Sequence, residues 1–86
     1  MINQPHPFKD STGMPWTLTA LALSGIQFVL ESADAPITIM ARRVSITVDE
    51  TKKPIPFVLE LDDNASIEID PAEIAKLDEF IQAVAA

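Results

Sequence analysis

The side chains best able to do chemistry lie between residues 60 and 79, where oxygen-bearing residues recur at short intervals. The ligand positions of a calcium-binding loop are matched in order by Asp62, Asn64, Ser66, Glu68, Asp70 and Glu73. Against this match, Ile67 occupies the position where the loop needs glycine, and no helix is expected before the loop. A β-hairpin turn followed by a helix cap explains the same residues. A calcium-responsive domain is therefore a minor alternative, and no metal site is assigned.

Residues for catalysis are scarce. The chain has no cysteine, one histidine and two glycines, which excludes thiol catalysis, cysteine-based zinc sites and a glycine-rich phosphate loop. His6 stands between two prolines, and a histidine needs convergent partners to ligate a metal or to act in a catalytic triad. The sequence therefore predicts a protein that is not an enzyme, with no catalytic residue and no cofactor.

Charge is distributed unevenly along the chain. The net charge is −7, yet the stretch up to Pro56 holds five acids and five bases, whereas the stretch from Phe57 holds eight acids and one base. Such asymmetry is typical of a surface that meets a basic partner, and a solvated coat that keeps a small protein soluble is the equal alternative. Because like charges repel the phosphate backbone, direct binding to nucleic acid is not expected.

These carboxylates could instead compete with nucleic acid for a basic groove. We predict a non-enzymatic acidic protein that docks on a basic surface of a partner macromolecule, such as a small nucleic-acid-mimicking inhibitor of a nucleic-acid-handling protein. The predicted partner-binding residues are Trp16, Glu60, Asp62, Asp63, Glu68, Asp70, Asp78 and Glu79. The alternative is a structural subunit of a larger assembly, which would use an N-terminal arm and a strand edge near Pro56. Homo-oligomerisation is compatible with either hypothesis.

The N-terminal segment differs in composition from the rest of this short chain. Eighty-six residues form one domain, because a second core could not be buried at this size. Residues 1–15 contain three prolines, which predicts a proline-rich arm that lies on the surface or stays mobile, followed by one domain over residues 16–86. Trp16 is interpreted as a ring that caps the core or as an exposed anchor for a partner. A cytoplasmic location without a membrane span is expected.

Alternating apolar residues predict most of the domain as β-structure. Thr17–Leu23 and Ile26–Ser32 are predicted as strands joined at Ser24 and Gly25, although the first also matches helical spacing. From Ile37 to Asp49 the inward parity switches, which predicts a bulge or bend at residues 41–43. The paired bases there, Arg42 and Arg43, could blunt a strand edge or hold a partner's acid.

The strand Ile55–Leu61 is predicted to lie at an edge of its sheet or to have an unpaired start, because it contains Pro56.

The last twenty residues change from strand to helix periodicity. Asp70 is the expected N-cap, with Pro71 as the first helical residue and Glu73 closing a capping box. One apolar arc is formed by Ile74, Leu77, Phe80, Ile81 and Val84. The predicted fold class is α+β, a small antiparallel sheet of four to five strands, meander or partly barrelled, with one C-terminal helix packed on it.

Overall fold

The computed structural model of the protein describes residues 3–22, 25–32, 34–62 and 65–85. In spatial order, the first antiparallel sheet consists of β1 (Asn3–Lys9), β2 (Pro15–Ala22), β3 (Ile26–Ser32) and β4 (Thr38–Ala41). The second antiparallel sheet consists of β5 (Val44–Val48), β6 (Phe57–Leu61) and β7 (Ala65–Glu68). A 3-10 turn, Pro71–Glu73, leads into helix α1, Ile74–Ala85. The predicted α+β class with a C-terminal helix is confirmed, with more strands than expected.

A short contact joins the two sheets. Asp10 forms an antiparallel bridge with Ile69, and the Ser11 N–H donates to the Glu68 carbonyl at 3.0 Å. In the register of this bridge, β7 lies opposite the β1–β2 turn, and β1 lies opposite the 3-10 turn and the start of α1, so the two sheets meet only at their ends. At the other junction, β4 and β5 are consecutive in the chain and are connected through residues 42 and 43. The architecture is two antiparallel sheets linked at these two junctions.

Residues 3–9 form an edge strand, which corrects the predicted surface arm. The Asp10 N–H donates to the Met14 carbonyl at 3.0 Å, so the even-numbered residues of β1 hydrogen-bond to β2. Pro5 and Pro7 fall at the odd-numbered positions, whose nitrogens point away from β2. Proline is tolerated in a sheet at such positions, because no ladder bond is lost there. Phe8 follows Pro7, and its side chain is buried in the core.

The predicted hairpin is confirmed over its helical alternative, since β2 and β3 pair along their length; Ser24, in its predicted turn, lies outside the described residues. The predicted bend also exists, and it is larger than a bulge, because it carries the chain from β4 in one sheet to β5 in the other. Of the two alternatives expected from Pro56, the edge position is wrong, whereas the unpaired start fits the structure, because the ladder begins at Phe57. Strand β6 is the centre of its sheet, and Pro56 precedes it, with its carbonyl accepting from the Asp49 N–H at 3.1 Å.

Helix α1 covers the core with its apolar arc. Leu77 and Ile81 are buried there, and the other members of the predicted arc pack around them. Asp70 is the N-cap and accepts from the Ala72 N–H at 3.1 Å. The predicted reciprocal bond from Glu73 does not form, because the Asp70 N–H donates to the Lys9 carbonyl instead. Among the described residues no helix combines the length and apolar character needed to cross a bilayer.

Asp10 is a buried carboxylate that organises the β1–β2 turn. Its Oδ1 accepts from the Thr12 N–H at 2.9 Å, the Thr12 hydroxyl at 2.6 Å and the Met14 N–H at 3.0 Å, and its Oδ2 accepts from the Trp16 indole N–H at 2.9 Å. Burial raises the pKa of the Asp10 carboxyl, but the bonds from Thr12, Trp16 and Met14 outweigh it and lower the pKa below 3.8. The turn is therefore built around an ionised side chain.

Substituting Asp10→Asn should lower the free energy of unfolding at neutral pH by about 1–3 kcal/mol, because one acceptor oxygen becomes an NH₂ group among donors. The depressed pKa means that the carboxylate stabilises the fold above pH 3.8 and that this contribution is lost as pH falls through the folded-state pKa. Urea unfolding at neutral and acidic pH should show a weaker acid dependence in the variant. Asp34→Asn, at an exposed site, is the control.

Candidate functional site

A groove of about 560 Å³ opens where the β4–β5 bend meets the C-terminal part of α1. Its apolar lining comes from β3, β5 and α1, and consists of Ile26, Phe28, Val44, Ile81 and Val84. Its polar lining comes from the bend, β5 and the end of β6, and consists of Arg42, Arg43, Ser45, Glu60 and Asp62. The groove thus combines an apolar wall with two bases and two acids.

Asp62 holds the bend that shapes this groove. The backbone N–H groups of Arg42 and Arg43 donate to its carboxylate at 3.0 and 2.8 Å, and its own N–H donates to the Arg43 carbonyl at 3.0 Å. Asp62 has a left-handed backbone, with φ 53°, which aspartate tolerates better than most residues. The bonds from the Arg42 and Arg43 backbone lower the pKa of the Asp62 carboxyl. Asp62 therefore acts as an ionised acceptor.

This arrangement supplies contacts for binding. Because its lowered pKa keeps Asp62 deprotonated, that group does not shuttle protons near neutral pH. An apolar wall beside fixed charges of both signs matches a partner side chain or segment that carries apolar and charged groups together. In the described part of the chain no group of three or more histidine, cysteine or acidic residues could hold a metal ion.

Three of the predicted binding acids are engaged within the protein. Asp62 caps the bend, Asp70 caps the 3-10 turn, and Glu68 forms an ion pair with Lys52. Three members of the calcium-loop pattern, Asp62, Glu68 and Asp70, therefore point at different partners, while Asn64 lies outside the described residues. Local spacing matched the calcium template because a strand end and a helix cap both favour short polar side chains.

The remaining predicted partner-binding residues lie in different parts of the fold. Glu60 is half-buried at the groove, whereas Asp78 and Glu79 are exposed on α1; Asp63 lies outside the described residues. Trp16 is only 6% exposed and donates to Asp10, so it is a core residue and not an exposed anchor. The structure therefore brings Glu60 and Asp62 together at the groove and places Asp78 and Glu79 on the helix.

His6, for which the sequence suggested no role, lies against the helix. Its ring stacks on Phe80 with centroids 5.0 Å apart, and its Nε2 is buried without a hydrogen-bond partner among the described residues. Burial lowers the pKa of His6 below 6.5; Glu73 opposes this shift, and Lys76 adds to it. The register that turns His6 inward was not visible from the sequence.

Because the unfolded chain binds the His6 proton more readily than the folded one, stability should fall as pH drops below 6.5 towards the lower folded-state pKa. Substituting His6→Phe keeps a ring on Phe80 and should flatten this dependence. Urea unfolding at about pH 7.5 and about pH 5 separates the variants, since carboxylates stay largely ionised over that range. An unchanged pH dependence in the variant would show that another group is responsible.

Comparison with known proteins does not assign a function to this geometry. No family model, no curated protein and no solved structure matches the chain.

Proposed function

We propose that this chain is a non-enzymatic binding protein that docks on a basic surface of a partner macromolecule. One observation carries the proposal: Asp78 and Glu79, at successive positions of α1, are both exposed, and neither carboxylate has a hydrogen bond or ion pair with any described residue. Elsewhere in the region richest in acids, Asp62, Glu68 and Asp70 have partners within the protein. Of the described acids in this region, the two helix acids are the ones that are both exposed and without such a partner.

The setting of these acids on α1 favours docking. Leu77 and Ile81 anchor the helix in the core, so its backbone needs no ordering on binding. The exposed residues around the two acids have short or uncharged side chains, apart from Lys76; they are Ala75, Gln82 and Ala83. A surface of low relief with negative charge fits a groove lined by lysine and arginine.

Proteins that handle nucleic acid present such grooves to phosphate. We therefore place the partner in that class, with the chain acting as an inhibitor that occupies the basic groove. The net charge of −7 supports this choice, because it would steer the chain towards a positive surface. The absence of cysteine supports a cytoplasmic setting for the interaction.

The double variant Asp78→Asn/Glu79→Gln should bind such a partner at least tenfold more weakly, about 1.4 kcal/mol. The partner is captured on the immobilised chain from a nuclease-treated lysate, purified, and titrated calorimetrically with each variant. Glu31→Gln/Asp34→Asn is the matched control, since it removes the same charge from exposed positions in and beyond β3. Both variants should fold with unchanged stability, because surface substitutions of this kind are usually near neutral.

The dependence of the binding affinity on salt concentration is an independent test of this proposal. Binding should weaken between about 0.1 M and about 1 M salt, as the Debye length shortens from about 10 Å to about 3 Å. An affinity that is insensitive to salt, or equal losses in the two double variants, would contradict docking through the α1 acids.

A further inference from the structure

The strand edges of the two sheets differ in how they are protected. The free edge of β1 carries Pro5 and Pro7, and β4 and β7 have only four residues each. Proline and short length are usual ways in which proteins blunt an edge. Strand β5, with sequence Val-Ser-Ile-Thr-Val, has no proline and no charge within it.

The register shows which backbone groups of β5 are free. The Asp49 N–H donates to the Pro56 carbonyl and the Asp62 N–H to the Arg43 carbonyl, so odd-numbered residues of this segment hydrogen-bond to β6. The N–H and C=O groups of Val44, Ile46 and Val48 consequently point away from β6. None of them has a backbone partner outside the strand ladder among the described residues.

We propose that two copies of the chain pair antiparallel through this β5 edge, about a two-fold axis at Ile46. The sequence of β5 is nearly palindromic, so Val44 faces the partner's Val48, Ser45 faces the partner's Thr47, and Ile46 faces the partner's Ile46. The pairs formed by Val44, Ile46 and Val48 each exchange two backbone hydrogen bonds. The two three-stranded sheets become one continuous sheet with β5 of each copy at its centre.

Charges flanking β5 select this pairing. Two bases, Arg42 and Arg43, precede the strand, and two acids, Asp49 and Glu50, follow it. Asp49 accepts from Thr51 through its Oδ1, which leaves its Oδ2 to meet a partner's base. In the antiparallel register Arg43 lies opposite the partner's Asp49, and Arg42 lies opposite the partner's Glu50, at both ends of the pair by symmetry. A parallel pairing would set like charges beside each other, which is destabilising. The second copy is therefore the occupant whose charges complement this edge.

Exposed apolar side chains lie at the same edge of the second sheet. Val48 is 40% exposed and is paired in register with Phe57, which is 42% exposed. Pairing through β5 lays the partner's Val44 beside Val48, which adds an apolar contact between β-branched residues. This dimer uses the bend and β5, whereas the proposed partner site is on α1, so either proposal can fail without the other.

The test is sedimentation equilibrium on the full chain and two charge variants, Arg42→Glu/Arg43→Glu and Asp49→Lys/Glu50→Lys. Wild type should be a dimer, and each variant alone should be a monomer because like charges then face each other. An equimolar mixture of the variants should regain the dimer mass, since each copy then complements the other. Circular dichroism of each variant confirms folding.

Introduced cysteines test the register in a chain that has none of its own. Mixing Ser45→Cys with Thr47→Cys should give a disulfide-linked pair under mild oxidation, because directly opposed residues at such positions lie within disulfide range. Ser45→Cys alone should cross-link poorly. A wild type that stays monomeric up to about 1 mM would overturn the proposal. So would a mixture of folded charge variants that does not dimerise, or equal cross-linking of Ser45→Cys alone.

Discussion

The rest of the structure depends on the hydrogen-bonded carboxylate of Asp10. A buried charge is costly unless donors surround it, and the turn after β1 supplies them from two backbone N–H groups, a hydroxyl and the Trp16 indole. The same residue bridges Ile69 through its backbone. One side chain thus fixes the β1–β2 turn and seats the largest aromatic ring of the core, and its backbone joins the two sheets.

Asp62 repeats this use of a carboxylate at the other junction between the sheets, the bend from β4 to β5. Its bonds to the backbone of Arg42 and Arg43 hold the chain where it passes from one sheet to the other. The acidic character of the second half of the sequence is therefore only partly a surface property. Several of its carboxylates satisfy backbone donors or an adjacent lysine, and the charge offered to solvent is concentrated on fewer residues than the composition implies.

The way in which the strand edges are protected determines which of them is open to the interactions that we propose. Prolines blunt the free edge of β1, and β4 and β7 are short, while β5 is an edge strand without a blunting residue. The bases and acids on either side of β5 make that edge selective, because they complement a second copy only in one direction. Helix α1, anchored by its apolar arc, carries the acids that remain available on another surface. The two surfaces differ in charge and in mode of contact.

Local patterns in the sequence were enough to predict the helix with its Asp70 cap, the bend at residues 41–43 and the α+β class, and they favoured the β2–β3 hairpin while leaving a helix open for its first strand. These features follow from periodicity and turn chemistry within a few residues. Tertiary structure alone decided that residues 3–9 form a strand, that Asp10 and Trp16 pair in the core, that His6 faces α1, and that Asp62 caps a distant bend. Each depends on register or contact between separate elements, which no local pattern encodes.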